Sequence, residues 1–154
     1  FRWLMSCRDA REYQAPVEYG RSEIIRKGKK IAVLGVGSMI PSCMEICKGL
    51  KDDGYDPTFV NARFVKPLDV DLLDELAKDH SLFVTVEENV KSGGYGEHVS
   101  AYMEACHPEI RVLSAAVWDR FVPQGNVESL RSRIGLGVED IRQAIEDSEE
   151  LREQ

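Results

Sequence analysis

The stretch Asn61-Ala62-Arg63-Phe64-Val65-Lys66-Pro67-Leu68-Asp69 decides the fold, because a strand end, a turn and a helix start follow one another within it. The residues around Val60 and Ala62 suit an extended strand. Pro67 disfavours helical backbone at the residue before it, and Asp69 is a typical N-cap residue. A helix over positions 69–79 is therefore predicted, with an apolar stripe at Leu72, Leu73, Leu76 and Ala77.

The same alternation of strands and helices extends in both directions from this stretch. Nearly continuous apolar runs predict strands at 31–36, 58–62, 82–86 and 110–113. Apolar residues at helical spacing predict helices after the first, second and third of these strands, and two further helices before position 146. This order favours a mainly parallel sheet with helices on both faces, joined by right-handed crossovers, which is an α/β fold.

The length of 154 residues suits one domain. Residues 1–19 are interpreted as a linker or the remnant of a preceding domain, residues 20–146 as the domain, and residues 147–154 as an acidic tail. Phe1 is not followed by a basic and then apolar leader, so we expect no signal peptide. One interpretation of this start is that the chain is a piece of a longer protein.

Composition excludes several classes of function. The formal net charge of −7 would repel nucleic acid, so no nucleic-acid partner is expected. No apolar run approaches the roughly 20 residues that a membrane-spanning helix needs, so no membrane association is expected. The four cysteines contain no C-x-x-C pair and no pattern of a secreted disulfide framework, which favours a reducing, cytoplasmic location.

Cys43 and Cys47 lie four residues apart and would share one face of the first predicted helix. That spacing can offer two thiolates to a metal ion, but no third or fourth ligand is near in the sequence. Ile40, Met44 and Leu50 belong to the same stripe, and free cysteine behaves as a small apolar residue. We therefore favour core packing for both cysteines over metal binding.

Two glycine-containing turns open predicted helices. Gly35-Val36-Gly37-Ser38-Met39-Ile40 has the position of a dinucleotide-binding turn, but Ile40 replaces its third small residue, which favours a plain tight turn. Gly93-Gly94-Tyr95-Gly96 can gather backbone N–H groups around an anion. The favoured alternative is that these glycines supply unusual backbone angles and close helix packing. His98 is predicted to be a partly exposed helix residue rather than a catalyst.

Glu87 and Glu88 lie at the end of a predicted parallel strand, at the edge where open α/β sheets bind ligands. Adjacent strand residues point to opposite faces, so the two carboxylates are not expected to act together on one substrate. Large apolar residues follow the next strand, in the loop from Trp118 to Gly125. They indicate either an interface or burial within the domain. No Ser-His-Asp arrangement, P-loop or zinc spacing can be assembled from the other residues.

Three motifs of this sequence resemble the carboxy-terminal domain of the 1-deoxy-D-xylulose-5-phosphate synthase family of transketolase-like enzymes. They occur in the same order as in that family. The first runs from Arg63 to Asp69, the second from Thr85 through the glycines that follow Asn89, and the third from Asp119 to Gly125. The resemblance indicates candidate interface or structural signature residues. These are Arg63, Phe64, Lys66, Pro67, Asp69, Glu87, Glu88, Asn89, Gly93, Gly94, Gly96, Asp119, Pro123, Gln124 and Gly125.

The resemblance implies a three-layer αβα sandwich with a mainly parallel sheet of about five strands, one of them antiparallel. Members of the family condense pyruvate with glyceraldehyde 3-phosphate, release carbon dioxide and use thiamine diphosphate held by Mg²⁺. Their cofactor and substrate residues lie chiefly in two preceding domains. The resemblance therefore implies no catalytic, cofactor-binding or metal-binding residue here. It implies a structural domain, inactive alone, whose partners are the preceding thiamine diphosphate-binding domains and a second protomer in a homodimer.

Two departures from the family pattern leave alternatives open. Ala115-Ala116-Val117-Trp118 replaces the Gly-Leu-Pro that usually precedes the matching Asp119, and the residues before Ala15 do not resemble the usual end of the middle domain. The chain can therefore belong to a divergent paralogue or to a split subunit. Transketolase or a 2-oxoacid dehydrogenase β-subunit is the alternative enzyme, and a stand-alone anion-binding or assembly module is the alternative of another class.

Overall fold

A five-stranded mixed sheet lies at the centre of the computed structural model, which describes residues 16–119 and 124–148. Its strands are β1 (Glu23–Arg26), β2 (Lys30–Gly35), β3 (Thr58–Asn61), β4 (His80–Val90) and β5 (Arg111–Val117). Their spatial order is β1-β3-β2-β4-β5. Strand β1 runs antiparallel to β3, and the other neighbours are parallel. The expected mainly parallel sheet with one antiparallel strand is confirmed.

Helices cover both faces of the sheet. They are α1 (Ile40–Asp52), α2 (Val70–Ala77), α3 (Tyr95–Cys106), α4 (Val127–Arg133) and α5 (Val138–Glu146). One core cluster lies between the sheet and α1 and α5, where Ile46 and Ile141 are buried. The second lies between the opposite face and α2 and α3, where Leu73 and Met103 are buried. The three-layer αβα sandwich is therefore confirmed.

The stretch after β3 turns the chain into α2, as its sequence predicts. Arg63 takes a positive φ of 53°. Asp69 is the N-cap of α2, and its carboxylate accepts a hydrogen bond from the Leu72 amide at 3.4 Å. The same carboxylate accepts from the Arg21 guanidinium at 3.0 Å and from the Ser22 amide at 2.7 Å. Asp69 therefore ties the segment before β1 to the start of α2.

The Asp69→Ala variant is expected to lose about 2 kcal/mol of unfolding free energy, because loss of an N-cap costs about 0.5–2 kcal/mol and the Ser22 amide also loses its acceptor. Chemical denaturation followed by circular dichroism measures this loss. Asp71→Ala is the matched control, since that carboxylate lies in the same turn, is 70% exposed and bonds to Arg21 alone. Equal losses in the two variants would contradict the capping role.

The structure differs from the sequence-based assignment in three strands. Strand β1 was not among the predicted strands, because it is a short edge strand whose residues alternate between exposed and half-buried. Strand β4 continues to Val90 and so contains Glu87, Glu88 and Asn89, which were expected to follow the strand. Strand β5 continues to Val117. Polar strand ends lack the apolar signal on which the prediction relies.

The proposed division into linker, domain and tail stays a prediction, since residues 1–15 and 149–154 lie outside the described part of the chain. Within it, Tyr19 contacts Phe64 edge-on, with ring centroids 5.5 Å apart. Gly20 lies so close to Pro67 that a Cβ there would be 2.8 Å from Pro67 Cγ.

None of the described helices is long and apolar enough to cross a membrane.

Candidate functional site

The three segments that resemble the family begin at or near the carboxyl edge of the sheet. The parallel strands β3, β4 and β5 all end at this edge. Arg63 follows β3 and pairs with Glu23 at 2.7 Å, between Nη2 and Oε2. Lys66, Asn89, Asp119, Gln124 and Gly125 are exposed at this edge or in the loop before α4. Pro123 lies outside the described residues.

Glu87 is the most deeply buried carboxylate among the described residues, with no exposed surface. Its Oε2 accepts a hydrogen bond from Tyr95 N–H at 2.9 Å, and its Oε1 accepts one from Gly96 N–H at 2.8 Å. Asn89 Nδ2 is a more distant donor at 3.4 Å. Both amides belong to the first turn of α3, where N–H groups lack partners within the helix and negative charge is favoured. A side chain of β4 thus holds the start of α3.

Glycines allow this close approach of helix and strand. Gly93 has a φ of 75°, in the left-handed region that favours glycine. Gly94 has an ordinary φ, but a Cβ there would lie 2.6 Å from Glu87 Oε1. A Cβ on Gly96 would overlap Ser114 Oγ on β5. The favoured interpretation therefore holds for the backbone angle of Gly93 and for close packing at Gly94 and Gly96, but not for an unusual angle at Gly94.

The start of α3 has the geometry of an anion-binding site, but the anion that it binds is the Glu87 carboxylate of the same chain. The amides of Tyr95 and Gly96, which an external phosphate would need, already donate to Glu87. The Gly93 amide donates to Glu97 in the next turn. An external anion would have to displace a buried carboxylate from its hydrogen bonds, which carries a large penalty. The arrangement therefore suits holding a helix rather than binding a ligand.

Glu88 points away from Glu87 and has a different role, as the alternation of side chains along a strand predicts. Arg131 of α4 donates to both of its oxygens, from Nε to Oε1 at 3.0 Å and from Nη2 to Oε2 at 2.9 Å. Ser38 Oγ donates to Oε2 at 2.6 Å. The hydrogen bonds from Arg131, and then that from Ser38, lower the pKa of the Glu88 carboxyl below its usual value. Glu88 therefore joins the turn after β2 to α4.

The contribution of Glu88 to stability is expected to depend on pH. Because its pKa is lower in the folded than in the unfolded chain, the stabilisation is present above the unfolded pKa and is lost as pH falls through the folded pKa. The stability advantage of the wild type over Glu88→Gln should therefore shrink on acidification below about pH 4.5. Urea unfolding of both proteins across an acidic pH series measures it, and an advantage that grows on acidification would contradict this assignment.

Three other sequence candidates have structural explanations. Cys43 and Cys47 are buried in the core that α1 forms with the sheet, and burial raises the pKa of both thiols, that of Cys47 to about 12. Core packing is therefore confirmed for both. Gly37 occupies a tight turn at a φ of 55°, as favoured for that segment. His98 is an exposed residue of α3.

Trp118 is 55% exposed, which disfavours burial within the domain, one of the two alternatives for this loop. Trp118 directly follows β5 and lines a cleft with Glu97 and Ser100 of α3. Lys91 Nζ lies 4.9 Å from the centroid of the ring, within the range of a cation–π interaction. The alternative, an interface, stays a prediction for this side chain.

Sequence reasoning missed a polar cluster between α2 and the end of α3. Asp74 Oδ1 accepts from Tyr102 OH at 2.8 Å and lies 2.8 Å from His107 Nε2. The hydrogen bonds from His107 and then Tyr102 lower the pKa of Asp74, and the bond to Asp74 raises the pKa of Tyr102 to about 12. The partners lie 28 and 33 residues from Asp74, so no short-range pattern marks them. The described residues contain no group of three His, Cys, Asp or Glu side chains arranged for a metal ion.

These features define a class of protein: a three-layer αβα domain in which a buried carboxylate of the sheet accepts hydrogen bonds from the first amides of α3. Residues 20–141 match the family model described as transketolase, C-terminal domain. The chain therefore belongs to the transketolase C-terminal domain family.

The curated relatives are longer enzymes. The 1-deoxy-D-xylulose-5-phosphate synthase of Lachnoclostridium phytofermentans is 38% identical over 131 residues, which cover 84% of this chain and 21% of that enzyme. The enzyme of the same name from Dictyoglomus thermophilum is 40% identical over 129 residues, again 84% of this chain and 21% of the relative. The chain thus spans about a fifth of the length of these relatives.

Solved structures share the fold. A protein described as a split gene transketolase, inactive beta4 tetramer, superposes with a TM-score of 0.80 at 29% identity, over 88% of this chain and 44% of that chain. The transketolase of Campylobacter jejuni superposes with a TM-score of 0.58 at 16% identity, over 84% of this chain and 19% of that chain. The second similarity concerns the fold alone.

Proposed function

We propose that this chain is the carboxy-terminal domain of a 1-deoxy-D-xylulose-5-phosphate synthase, which condenses pyruvate with glyceraldehyde 3-phosphate and releases carbon dioxide. The product serves isoprenoid and thiamine biosynthesis in the cytoplasm. The domain contributes no reacting group of its own. It stabilises the enzyme by packing against the preceding domains and a second protomer, and it is inactive alone.

The observation that carries this role is the environment of Glu87. An αβα domain that binds a phosphorylated ligand at its carboxyl edge commonly uses free amides at a helix start. The Tyr95 and Gly96 amides of α3 are instead bound to a buried carboxylate of the same domain. Because these amides already bind Glu87, they support a structural role for the carboxyl edge of the sheet.

The start of α3 does not fit the diphosphate of thiamine diphosphate. Its diphosphate would compete with Glu87 for the same two amides, and the nearby Glu97 would repel it. Thiamine diphosphate and Mg²⁺ are therefore assigned, in the proposal, to the preceding domains of the complete enzyme. No step of the reaction is assigned to a side chain of this domain.

A domain exchange tests the proposal. In the Lachnoclostridium phytofermentans relative, the segment that matches this chain is replaced by residues 16–148, and product formation from pyruvate and glyceraldehyde 3-phosphate is measured. We expect the chimera to retain kcat within about tenfold of the parent, and the 154-residue chain to give no product. Turnover by the chain alone, or a folded chimera that binds thiamine diphosphate yet lacks activity, would contradict the proposal.

A split subunit is the second candidate, and the description of the structural relative as a split gene transketolase favours it. In that case the chain, or a slightly longer form, associates with a separately encoded cofactor-binding subunit. The coding sequence upstream of Phe1 separates a fused from a split arrangement. It also separates a synthase from a transketolase or a 2-oxoacid dehydrogenase β-subunit. The stand-alone anion-binding module is disfavoured by the occupied amides of α3.

A further inference from the structure

His80, the first residue of β4, binds two elements with which β4 does not pair, namely β3 and α2. Its Nε2 lies 2.7 Å from Oγ1 of Thr58, the first residue of β3. Its Nδ1 lies 2.8 Å from the carbonyl oxygen of Leu76, near the end of α2. Strand β2 lies between β3 and β4, so the bond to Thr58 joins strands that are roughly 9.6 Å apart. His80 is 8% exposed and Thr58 is 2% exposed, so water competes little for these bonds.

The partners of the imidazole determine which of its nitrogens carries the hydrogen. A backbone carbonyl can only accept, so the bond to Leu76 O requires a hydrogen on Nδ1 of His80. The opposite tautomer would direct the Nδ1 lone pair at the carbonyl oxygen and place two acceptors 2.8 Å apart. A half-turn of the ring would put carbon atoms against both partners and lose both bonds. In the tautomer that remains, Nε2 is an acceptor.

The Thr58 hydroxyl connects this imidazole to the turn between β1 and β2. Gly28 N–H donates to Thr58 Oγ1 at 2.9 Å. The hydroxyl oxygen accepts this bond, and the hydroxyl hydrogen is donated to His80 Nε2. The hydrogen bonds therefore form one directed series, from Gly28 through Thr58 and His80 to Leu76 O. Hydrogen bonds in such a series polarise and strengthen one another.

The turn between β1 and β2 depends on this series at one of its three anchored amides. Lys29 N–H and Lys30 N–H donate to backbone carbonyls, those of Asp56 at 2.6 Å and of Asp79 at 2.9 Å. Of the three, the Gly28 amide alone has a side-chain acceptor, which can rotate away if it loses its own acceptor. Gly28 also lies against the backbone before β3, where a Cβ would overlap Asp56 O. The hold on Gly28 therefore depends on the orientation of the Thr58 hydroxyl.

We propose that His80 is a tautomer-selected latch for the amino edge of the sheet. With its hydrogen on Nδ1, His80 fixes the direction of the Thr58 hydroxyl, and that hydroxyl holds Gly28. His80 is a positioning residue in this role, because it acts on Gly28 through Thr58. The latch couples the β1–β2 turn, β3, β4 and the end of α2. It concerns the folding of this chain and does not rest on the proposed function.

The unmodified chain tests the tautomer. Long-range proton–nitrogen correlation spectra of isotopically labelled histidine side chains, recorded at about pH 8, distinguish a nitrogen that carries hydrogen from one that does not. His80 is expected to carry its hydrogen on Nδ1. His107 is expected to carry one on Nε2, because that atom lies 2.8 Å from the Asp74 carboxylate. The exposed His98 is the reference for an imidazole in water. A hydrogen on Nε2 of His80 would overturn the latch.

Two variants test the connection from His80 to Gly28. Thr58→Val keeps the shape of the side chain but removes the acceptor of the Gly28 amide, which should then exchange with solvent at least about tenfold faster. His80→Phe keeps a planar ring and removes both nitrogens. The latch requires the Gly28 amide to exchange about three- to tenfold faster in this variant as well, because the Thr58 hydroxyl loses its acceptor. Thr58→Ser retains the hydroxyl and should leave this rate near that of the wild type.

The amides of Val33 and Leu34 in the central strand β2 report global unfolding, because both residues are fully buried. The exchange rate of Gly28 is therefore expressed relative to theirs. An unchanged relative rate in His80→Phe would show that the bonds of Gly28 and His80 to Thr58 are independent, which would overturn the latch. If a variant fails to fold, the spectra of the unmodified chain decide, because the other tautomer would break the series at Leu76.

Discussion

The Glu87→Ala variant should lose about 3–5 kcal/mol of unfolding free energy, because the buried Tyr95 and Gly96 amides lose a charged acceptor and water does not reach them freely. The free energies follow from urea or guanidinium unfolding monitored by circular dichroism. A loss of this size is a large fraction of the stability of an ordinary domain. We therefore expect the variant to unfold at a clearly lower temperature than the wild type.

Two further variants separate the helix-holding role from a general effect of charge. Glu88→Ala removes the adjacent, partly exposed carboxylate and is expected to cost less than about 1 kcal/mol. Glu87→Gln keeps the shape of the side chain but turns one acceptor into a donor that faces an N–H group. It should fall between the wild type and Glu87→Ala. If Glu87→Ala and Glu88→Ala cost the same, Glu87 does not hold α3.

The Gly96→Ala variant is expected to be less stable by about 2–3 kcal/mol, although helix propensity alone predicts a gain of about 1 kcal/mol. The reason is steric, since the new Cβ would overlap Ser114 Oγ and lie 2.5 Å from Thr85 Oγ1. Both hydroxyls stand on neighbouring strands of the sheet, β5 and β4, so α3 would have to move outward. Denaturant unfolding gives the sign directly, and a stabilised variant would show that the contact is absent.

Gly49→Ala is the matched control for that prediction. Gly49 also lies within a helix, α1, and a Cβ there would be 2.6 Å from Arg142 Nε. That neighbour is a long side chain whose ion-pair partners, Asp53 and Glu139, are exposed, so it can shift at a smaller cost than the hydroxyls on the sheet. We expect Gly49→Ala to change stability by less than about 1 kcal/mol. Adding Ser114→Gly to Gly96→Ala should recover part of the lost stability, because it removes the closest atom.

The sequence predicts the layers of this domain because local rules act there without conflict. Asp69 follows Pro67 and precedes an apolar stripe, and the structure has that residue as the N-cap of α2. The central strand β2 is buried on both faces, and its apolar run makes it visible. Strand β1 was missed because an edge strand buries little, so its residues carry no clear apolar pattern.

The role of Glu87 was harder to predict because a carboxylate is ordinarily expected at the surface. The available signal was the combination of Glu87 at a strand end with glycines just before the helix start at Tyr95. That combination indicates an anion near helix amides, but it does not say whether the anion is internal. The cluster of Asp74, Tyr102 and His107 had no signal at all, because tertiary packing of α2 against α3 creates it.

Isothermal titration calorimetry of thiamine diphosphate with Mg²⁺ into the purified chain tests the central claim most directly. The claim is that the helix start of α3 is closed by Glu87 and that the domain serves as a supporting part of a larger enzyme. No saturable heat is expected up to millimolar ligand, and inorganic phosphate should behave in the same way. A binding isotherm with Kd in the micromolar range for either ligand would contradict the account.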